Sequence, residues 1–220
     1  NRAFAAGHYA DAIHDYEIIV EKQGFSAPLL FNLANAYFRD GKIGNAILNY
    51  ERALALAPND ADIEANLRFA RKASGLFAPD ITWWQRAAHL FSMNGWAWLA
   101  SGSLTLLCGC GIARLLFNLR TPGNIERNLW RAGAVLFAIT LFAAMVCLGI
   151  LMSDFDRAVI LAPETPVRLG PFDTATSSSA LPSGETVVIQ GRHENFALIR
   201  SRDGRTGWVA SPQVEPVLKN

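Results

Sequence analysis

The chain has 220 residues, a formal net charge of +1, 51% hydrophobic residues and 18% charged residues. A net charge this close to zero gives no strongly basic surface, so nucleic-acid binding is excluded as the main function. The charged fraction is low against about 25% in ordinary soluble domains, and the deficit lies between Ala87 and Asp154, where nearly every residue is apolar or small. Composition therefore predicts a membrane segment between two water-soluble modules.

The N-terminal region repeats itself with a period of 34 residues. Residues 1–26 align with residues 35–60 at seven identical positions, which include Gly7 with Gly41 and Tyr16 with Tyr50. Apolar residues recur at helical steps of three and four on both sides of Gly41, and Pro58 closes the second run because proline cannot continue a helix. The pattern predicts pairs of helices that stack on one another.

Residues 27–60, APLLFNLANAYFRDGKIGNAILNYERALALAPND, resemble a tetratricopeptide repeat along their whole length. Residues 1–26 resemble the last part of an earlier repeat and begin inside its first helix, so we expect residues that precede Asn1, with or without a signal peptide. Residues 61–75 resemble a terminal capping helix, on which Asn66, Arg68, Arg71 and Lys72 are expected to face solvent. Residues 1–75 are thus predicted to be a helical repeat domain that is incomplete at its N-terminus.

The tetratricopeptide resemblance implies a groove that binds a protein or a peptide, lined by the first helix of each pair. On this chain the groove residues would be Phe31, Asn35, Phe38, Arg39 and Phe69. The alternative for Asn35 is a structural role inside the repeat, which would leave it unavailable to a partner.

Two apolar runs follow the repeat region, and each is long enough for the roughly 20 residues that a membrane-spanning helix needs. We predict a linker or interfacial segment at 76–94, spans at 95–117 and 129–152, and a short loop at 118–128. The flanking residues Trp83, Trp84, Trp96, Trp98 and Trp130 are typical of the aromatic belts at membrane surfaces. The small residues Ser101, Thr105 and Gly109 are expected in the seam of the helical hairpin.

The charges around the spans predict their orientation. Arg120 and Arg127 lie in the loop, and Arg114 and Arg131 lie at the adjoining helix ends, whereas Glu126 is the one acidic residue there. The positive-inside rule then predicts a cytoplasmic loop. Both soluble modules would face the other side of a bacterial inner membrane, which is the periplasm.

The C-terminal region changes to strand periodicity. Short β-rich runs begin near Val159, Pro166, Thr186 and Phe196, glycines and prolines separate them, and Asp203-Gly204 predicts a hairpin turn. Five short strands are expected, with residues 172–179 as a long loop.

Residues 157–218 resemble a bacterial SH3-like domain, on the evidence of the turn at 181–185, the Gly207-Trp208-Val209 step and the closing run at 214–217. The resemblance implies a small β-barrel that binds peptides or cell-wall peptide stems, with Phe172 and Trp208 as ligand-binding candidates. The alternative for Trp208 and Phe196 is a place in the barrel core.

Residue patterns for catalysis are missing from the sequence. The four histidines are scattered over three modules without metal-ligand spacing, and there is no phosphate-binding glycine loop, serine elbow or zincin motif. The cysteines Cys108, Cys110 and Cys147 all lie in the apolar region and are interpreted as packing residues. We therefore predict a non-enzymatic protein without metal or cofactor.

The order of a repeat domain, two spans and an SH3-like domain resembles the BatE-like tetratricopeptide proteins of bacterial aerotolerance (Bat) operons. The resemblance implies an interaction scaffold in oxidative or envelope stress, with von Willebrand factor A (VWA)-type membrane proteins and a MoxR-type ATPase as partners. The alternative is a sensor that binds peptidoglycan through the SH3-like domain. Membrane lipid is an expected partner in both cases.

Overall fold

The computed structural model describes residues 2–76, 82–117, 124–153 and 156–218. Parts of the predicted linker, at 77–81, and of the predicted loop, at 118–123, lie outside the described residues. The chain divides into two compact units, Asn1–Pro79 with Asp154–Asn220, and Asp80–Ser153. The first unit therefore joins the two ends of the sequence.

The first part of this unit is a set of five helices. They are α1 (Arg2–Ala5), α2 (Tyr9–Gln23), α3 (Ala27–Arg39), α4 (Ile43–Leu56) and α5 (Ala61–Ala73). Gly41 has a φ of +79° and allows the tight connection from α3 to α4. Asp60 caps α5, because its carboxylate accepts hydrogen bonds from the backbone N–H groups of Asp62 and Ile63 at 3.0 and 3.1 Å. The prediction of a helical repeat region is confirmed.

The second part is an all-antiparallel sheet of seven strands. These are β1 (Arg157–Ile160), β2 (Thr165–Arg168), β3 (Ser177–Leu181), β4 (Thr186–His193), β5 (Phe196–Arg200), β6 (Thr206–Ala210) and β7 (Val214–Pro216). Their order across the sheet is β3-β2-β6-β5-β4-β1-β7. The Asp203-Gly204 turn joins β5 to β6, as the sequence indicates, with Gly204 at a φ of +86°.

The loop predicted at 172–179 is partly wrong, because its last residues belong to β3. Three consecutive serines carry little strand preference, so sequence pattern alone does not reveal this strand. The structure supplies the missing partner: Val167 of β2 pairs with Ser179, and the Ser178 hydroxyl donates a hydrogen bond to the Val167 carbonyl at 3.1 Å. The strand count rises from the five expected to seven.

The helices and the sheet share one hydrophobic core. Val159 of β1 and Val217, each at most 1% exposed, belong to the same buried cluster as Ile47 and Leu48 of α4. A second buried cluster, which includes Ile160, Val187 and Ile199, is formed by side chains of the strands themselves. The C-terminal strands therefore cover the second helix of the repeat.

Two glycines allow the turn between β3 and β4 to approach α4 closely. A Cβ atom on Gly44 would lie 2.7 Å from the Ile160 carbonyl oxygen, and one on Gly184 would lie 2.5 Å from the Ile47 side chain. The Gly44 N–H donates to the Ser183 hydroxyl at 3.0 Å, and that hydroxyl donates to the Leu161 carbonyl at 2.7 Å. Any side chain at Gly44 would push the turn away from the helix.

The second unit contains the short helix α6 (Trp83–Ala88) and two long helices, α7 (Met93–Phe117) and α8 (Asn124–Ser153). Within them, Met93–Leu115 and Asn128–Met152 are long and apolar enough to cross a membrane, by length and composition. They pack as an antiparallel hairpin whose buried hydrophobic cluster contains Trp96, Ala100 and Ala144. Ser103 and Thr140 join the two helices through their hydroxyls at 3.0 Å.

Two expectations about this hairpin are wrong. Ser101, Thr105 and Gly109 are exposed and do not form its seam, which Ala100 and Ser103 provide instead. Trp96 is only 9% exposed and is a packing residue, whereas Trp98 at 79% exposed has the orientation expected of a belt residue. A step of one residue turns a helix by about 100°, so apolar composition alone does not tell which small residues face the neighbour.

Candidate partner-binding surfaces

The first candidate surface lies on α3 and α5, and the structure brings two of the predicted groove residues together on it. The rings of Phe38 and Phe69 meet edge to face with centroids 5.7 Å apart. Phe69 is 61% exposed and Phe38 is partly buried. An aromatic pair that is this open to solvent leaves apolar area for a partner to cover.

Arg39 follows Phe38 in α3 and is held in place by Tyr9 of α2, which the sequence did not single out. The Arg39 Nη2 and Nε atoms donate to the Tyr9 hydroxyl at 3.0 and 3.2 Å, and the guanidinium carbon lies 5.4 Å from the ring centroid. Phe4 supports the same ring, with centroids 5.4 Å apart. The contact fixes a positive charge while leaving Arg39 exposed.

Asn35 and Phe31, the other two predicted groove residues, make contacts within the repeat. The Tyr50 hydroxyl donates to Asn35 Oδ1 at 2.6 Å, and the Phe31 ring lies 6.0 Å from the Tyr50 ring. Both side chains are partly buried. Burial raises the pKa of the Tyr50 hydroxyl to about 12, so this hydrogen bond keeps its donor into the alkaline range. Asn35 thus performs a structural task through its Oδ1 atom.

A comparable polar contact ties α2 to α3 on the same part of the domain. The Tyr37 hydroxyl donates to the Glu17 carboxylate. Burial raises the pKa of Tyr37, and the hydrogen bond to Glu17 raises it further, because both favour the protonated phenol. The first and second helical pairs are therefore joined by side-chain hydrogen bonds as well as by apolar packing.

The second candidate surface lies on the sheet. Trp208 in β6 is partly buried, stands between Arg168 of β2 and Leu198 of β5 in the strand pairing, and has its ring 6.3 Å from that of His193. Phe172 is 55% exposed and covers Gly170, where a Cβ atom would meet the Phe172 ring at 2.6 Å. These two predicted ligand residues, both among the described ones, share no ring contact. Phe196 is 7% exposed and belongs to the interior.

A third group of side chains joins the repeat to the sheet, and the sequence did not reveal it. Glu51 of α4, with its side chain 3% exposed, accepts from Arg71 of α5 and from Arg157 of β1, the latter at 3.4 Å. Arg71 also donates to the Thr186 hydroxyl at 3.1 Å. The expectation that Arg71 faces solvent is wrong, because its guanidinium pairs with a carboxylate that is itself buried and needs a cation.

The neighbouring residue on α4 makes a parallel set of contacts. The Arg52 Nη2 atom lies 2.8 Å from Glu215 Oε1 and donates to the Pro216 carbonyl at 2.9 Å, while Nε donates to the Val217 carbonyl at 3.0 Å. The Arg52 side chain is 8% exposed and also stacks over the Phe25 ring at 5.5 Å. These contacts engage Arg52 with the C-terminal strands, whereas Phe69 of α5 stays open to solvent.

Comparison with known proteins agrees with the geometry of the repeat. Residues 27–60 match the family model of the tetratricopeptide repeat. Repeats of this family generally mediate protein–protein interactions, which indicates that role for the helical part of this chain. Neither the curated proteins nor the solved structures gave a match. Within the residues that the structure describes, no group of three or more His, Cys, Asp and Glu side chains is arranged to hold a metal ion.

Proposed function

We propose that the chain is a membrane-anchored scaffold that captures a protein or peptide on the surface formed by α3 and α5. The observations that carry this proposal are the solvent-open pair of Phe38 and Phe69 and the fixed, exposed charge of Arg39, the residue after Phe38 in α3. Open aromatic rings and an exposed cation at consecutive positions of α3 suit a segment that carries both apolar side chains and a carboxylate. The match of residues 27–60 to the tetratricopeptide repeat supports the same reading.

The test is capture of partners by the full chain in lipid nanodiscs. We expect Phe69→Ala and Arg39→Glu each to reduce capture strongly, because the first removes the exposed ring and the second reverses the charge. Leu56→Ala is the matched control, since Leu56 is 52% exposed at the end of α4, outside the proposed surface. Capture at the wild-type level by Phe69→Ala and Arg39→Glu, as by the Leu56→Ala control, would refute the proposal. Asn35→Ala is a poor probe, because it also removes the acceptor of the Tyr50 hydroxyl.

Anchoring is proposed to come from the two apolar helices, with the loop between them in the cytoplasm and both ends of the chain in the periplasm. The supports are the length and composition of the helices and the excess of arginine around the loop. Reporter fusions after Asn220 and within 119–125 test this directly. A periplasmic signal from the loop position would reverse the orientation.

The cellular setting that the module order suggests is the aerotolerance group, with VWA-type membrane proteins as direct partners and a MoxR-type ATPase as an indirect one. Co-purification from a host that has a Bat operon would test it, with Phe69→Ala as the negative control. Recovery of these proteins at the same level with wild type and variant would show that they do not use the α3 and α5 surface.

Binding of peptidoglycan by an SH3-like barrel is the second candidate, favoured by exposed apolar side chains at Leu169 and Phe172, which are 69% and 55% exposed. Because the sheet shares its core with α4, the full chain must be used rather than the isolated C-terminal fragment. Co-sedimentation with purified cell wall that is lost in Phe172→Ala would support this function. Absence of co-sedimentation by the wild-type chain would refute it.

A further inference from the structure

The segment that precedes the first long helix is folded back onto the helical hairpin. The Trp96 indole Nε1 donates to the Ala88 carbonyl at 2.7 Å, and the Phe91 ring packs against Trp96 with centroids 5.1 Å apart. Ala88 is fully buried, and α6 packs against α8. Trp96 therefore fixes the end of α6 beside the first turn of α7. Its two contacts, with the Ala88 carbonyl and with the Phe91 ring, are together called the Trp96 pin below.

The start of this segment is also ordered by its own side chains. Gln85 Oε1 accepts from the Thr82 N–H at 2.9 Å and from the Thr82 hydroxyl at 2.7 Å, which closes the first turn of α6. A six-residue helix has little stability of its own, so the pin and this turn together determine its position.

The same segment carries four large apolar side chains that are exposed to solvent. Trp83 is 76% exposed, Leu90 69%, Phe91 53% and Trp84 49%. The two indoles meet each other edge to face at 5.7 Å, and Arg86 is exposed beside them. Four such side chains within nine residues form an apolar patch that a surface facing only water rarely carries.

The length of α7 determines where this patch would lie in a bilayer. The candidate span from Met93 contains 23 residues and so covers about 35 Å, slightly more than the roughly 30 Å hydrocarbon core. The patch precedes that span, and the Trp96 pin prevents it from extending away along the axis of α7. In a bilayer that α7 spans, it would therefore lie at the depth where headgroups meet acyl chains.

We propose that residues 83–91, called the interfacial foot below, bind the headgroup and upper acyl region of the lipid bilayer. Indole rings suit this layer because they combine an apolar body with an N–H donor, and Arg86 supplies a cation for lipid phosphate. The foot fixes the depth and rotation of the hairpin. This inference rests on the proposed anchoring of the chain in a membrane.

The test uses the full chain in vesicles of phosphatidylcholine and phosphatidylglycerol whose acyl chains are brominated either close to the headgroup or at their ends. Four variants keep Trp96, so that the pin survives, and keep in addition Trp83, Trp98, Trp208 or no other tryptophan, with phenylalanine at the remaining positions. The variant with Trp96 alone gives the background emission. Trp208, in the β sheet, is the control outside the second unit.

We expect the Trp83 signal to be quenched roughly twofold more by bromine close to the headgroup than by bromine at the chain ends. Quenching of Trp98 without quenching of Trp83 would overturn the foot while leaving membrane anchoring intact. Stronger quenching of Trp83 by chain-end bromine would also overturn it. Absence of quenching at both Trp83 and Trp98 would remove the anchoring proposal itself.

Discussion

Arg52, on the second helix of the repeat, lies 2.8 Å from Glu215 in the last strand of the sheet, between Nη2 and Oε1. The two residues are separated in sequence by both long apolar helices, and yet they belong to one compact unit. The Arg52 side chain is 8% exposed and that of Glu215 is 30% exposed, so the guanidinium is largely removed from water and depends on its protein partners. The contact makes the stability of the repeat depend on the C-terminal strands.

Arg52→Ala is therefore expected to destabilise the first unit by about 2–4 kcal/mol, because it removes the cation that pairs with Glu215 and the donor to two backbone carbonyls. Chemical denaturation of the full chain in detergent, followed by near-ultraviolet circular dichroism, measures the effect. Arg68→Ala is the matched control: Arg68 pairs with Glu64 one turn away on an exposed face, so its loss should cost less than about 0.5 kcal/mol. Similar losses in both variants would contradict the assignment of the interface.

Gly44→Ala gives a steric test of the same interface. Alanine in place of glycine usually stabilises a helix by up to about 1 kcal/mol, but a Cβ atom here would lie 2.7 Å from the Ile160 carbonyl and 2.8 Å from the Leu161 Cα. We expect a lower melting temperature and faster proteolysis near Ser183. Gly191→Ala is the control, since nothing lies within 4 Å of the new methyl group there. An unchanged melting temperature for Gly44→Ala would show that the turn can move without cost.

The local elements could be predicted from the sequence, because helix and strand periods and turn residues act over short distances. Tyr50 and Leu33 follow the helical period, and Asp203-Gly204 marks its hairpin. The association of the two end regions could not be predicted in this way. In the sequence, Arg71 resembles a solvent-facing helix residue both in its charge and in the residues next to it. Its contacts with Glu51 and Thr186, which the sequence does not reveal, distinguish it from such a residue.

The candidate site could likewise be predicted from the sequence only in part. Phe38 and Phe69 were identified because the family places such positions on the groove, and the structure brings their rings together. Tyr9 was missed because it has no identical counterpart in the repeat alignment. Its importance depends on the geometry of Arg39, which a linear sequence does not contain.

The raised pKa of Tyr50 predicts how the free energy of unfolding changes at alkaline pH. Its folded-state pKa of about 12 is above the ordinary value of 10.0, so the folded state holds the proton more tightly than the unfolded state does. The resulting stabilisation is complete below pH 10 and is lost as pH rises from 10 to about 12. Tyr50→Phe should cost about 1 kcal/mol at pH 8, through loss of the bond to Asn35, but should decline less steeply above pH 10.

Thermal unfolding at pH 8, 10 and 11 measures this difference in slope. Tyr37, whose pKa is also raised, is present in both proteins and cancels in the comparison. Parallel curves for wild type and Tyr50→Phe across this range would contradict a raised pKa at Tyr50.

Replacement of Thr140 tests the hydrogen bond that joins the two helices of the hairpin. Its hydroxyl lies 3.0 Å from that of Ser103, which is 7% exposed, so Thr140→Val removes the contact between the helices while keeping the shape of the side chain. Hydrogen bonds between membrane helices contribute about 0.6 kcal/mol on average, which corresponds to a roughly threefold change in an opening equilibrium.

Cys147, partly buried in the seam, can report that opening once Cys108 and Cys110 are changed to serine. We expect Thr140→Val to raise the rate of Cys147 alkylation in micelles roughly threefold. Thr105→Val should leave the rate unchanged, because the Thr105 hydroxyl donates to the Ser101 carbonyl of its own helix, on an exposed face. Equal rates in the two variants would mean that the seam is held by apolar packing alone.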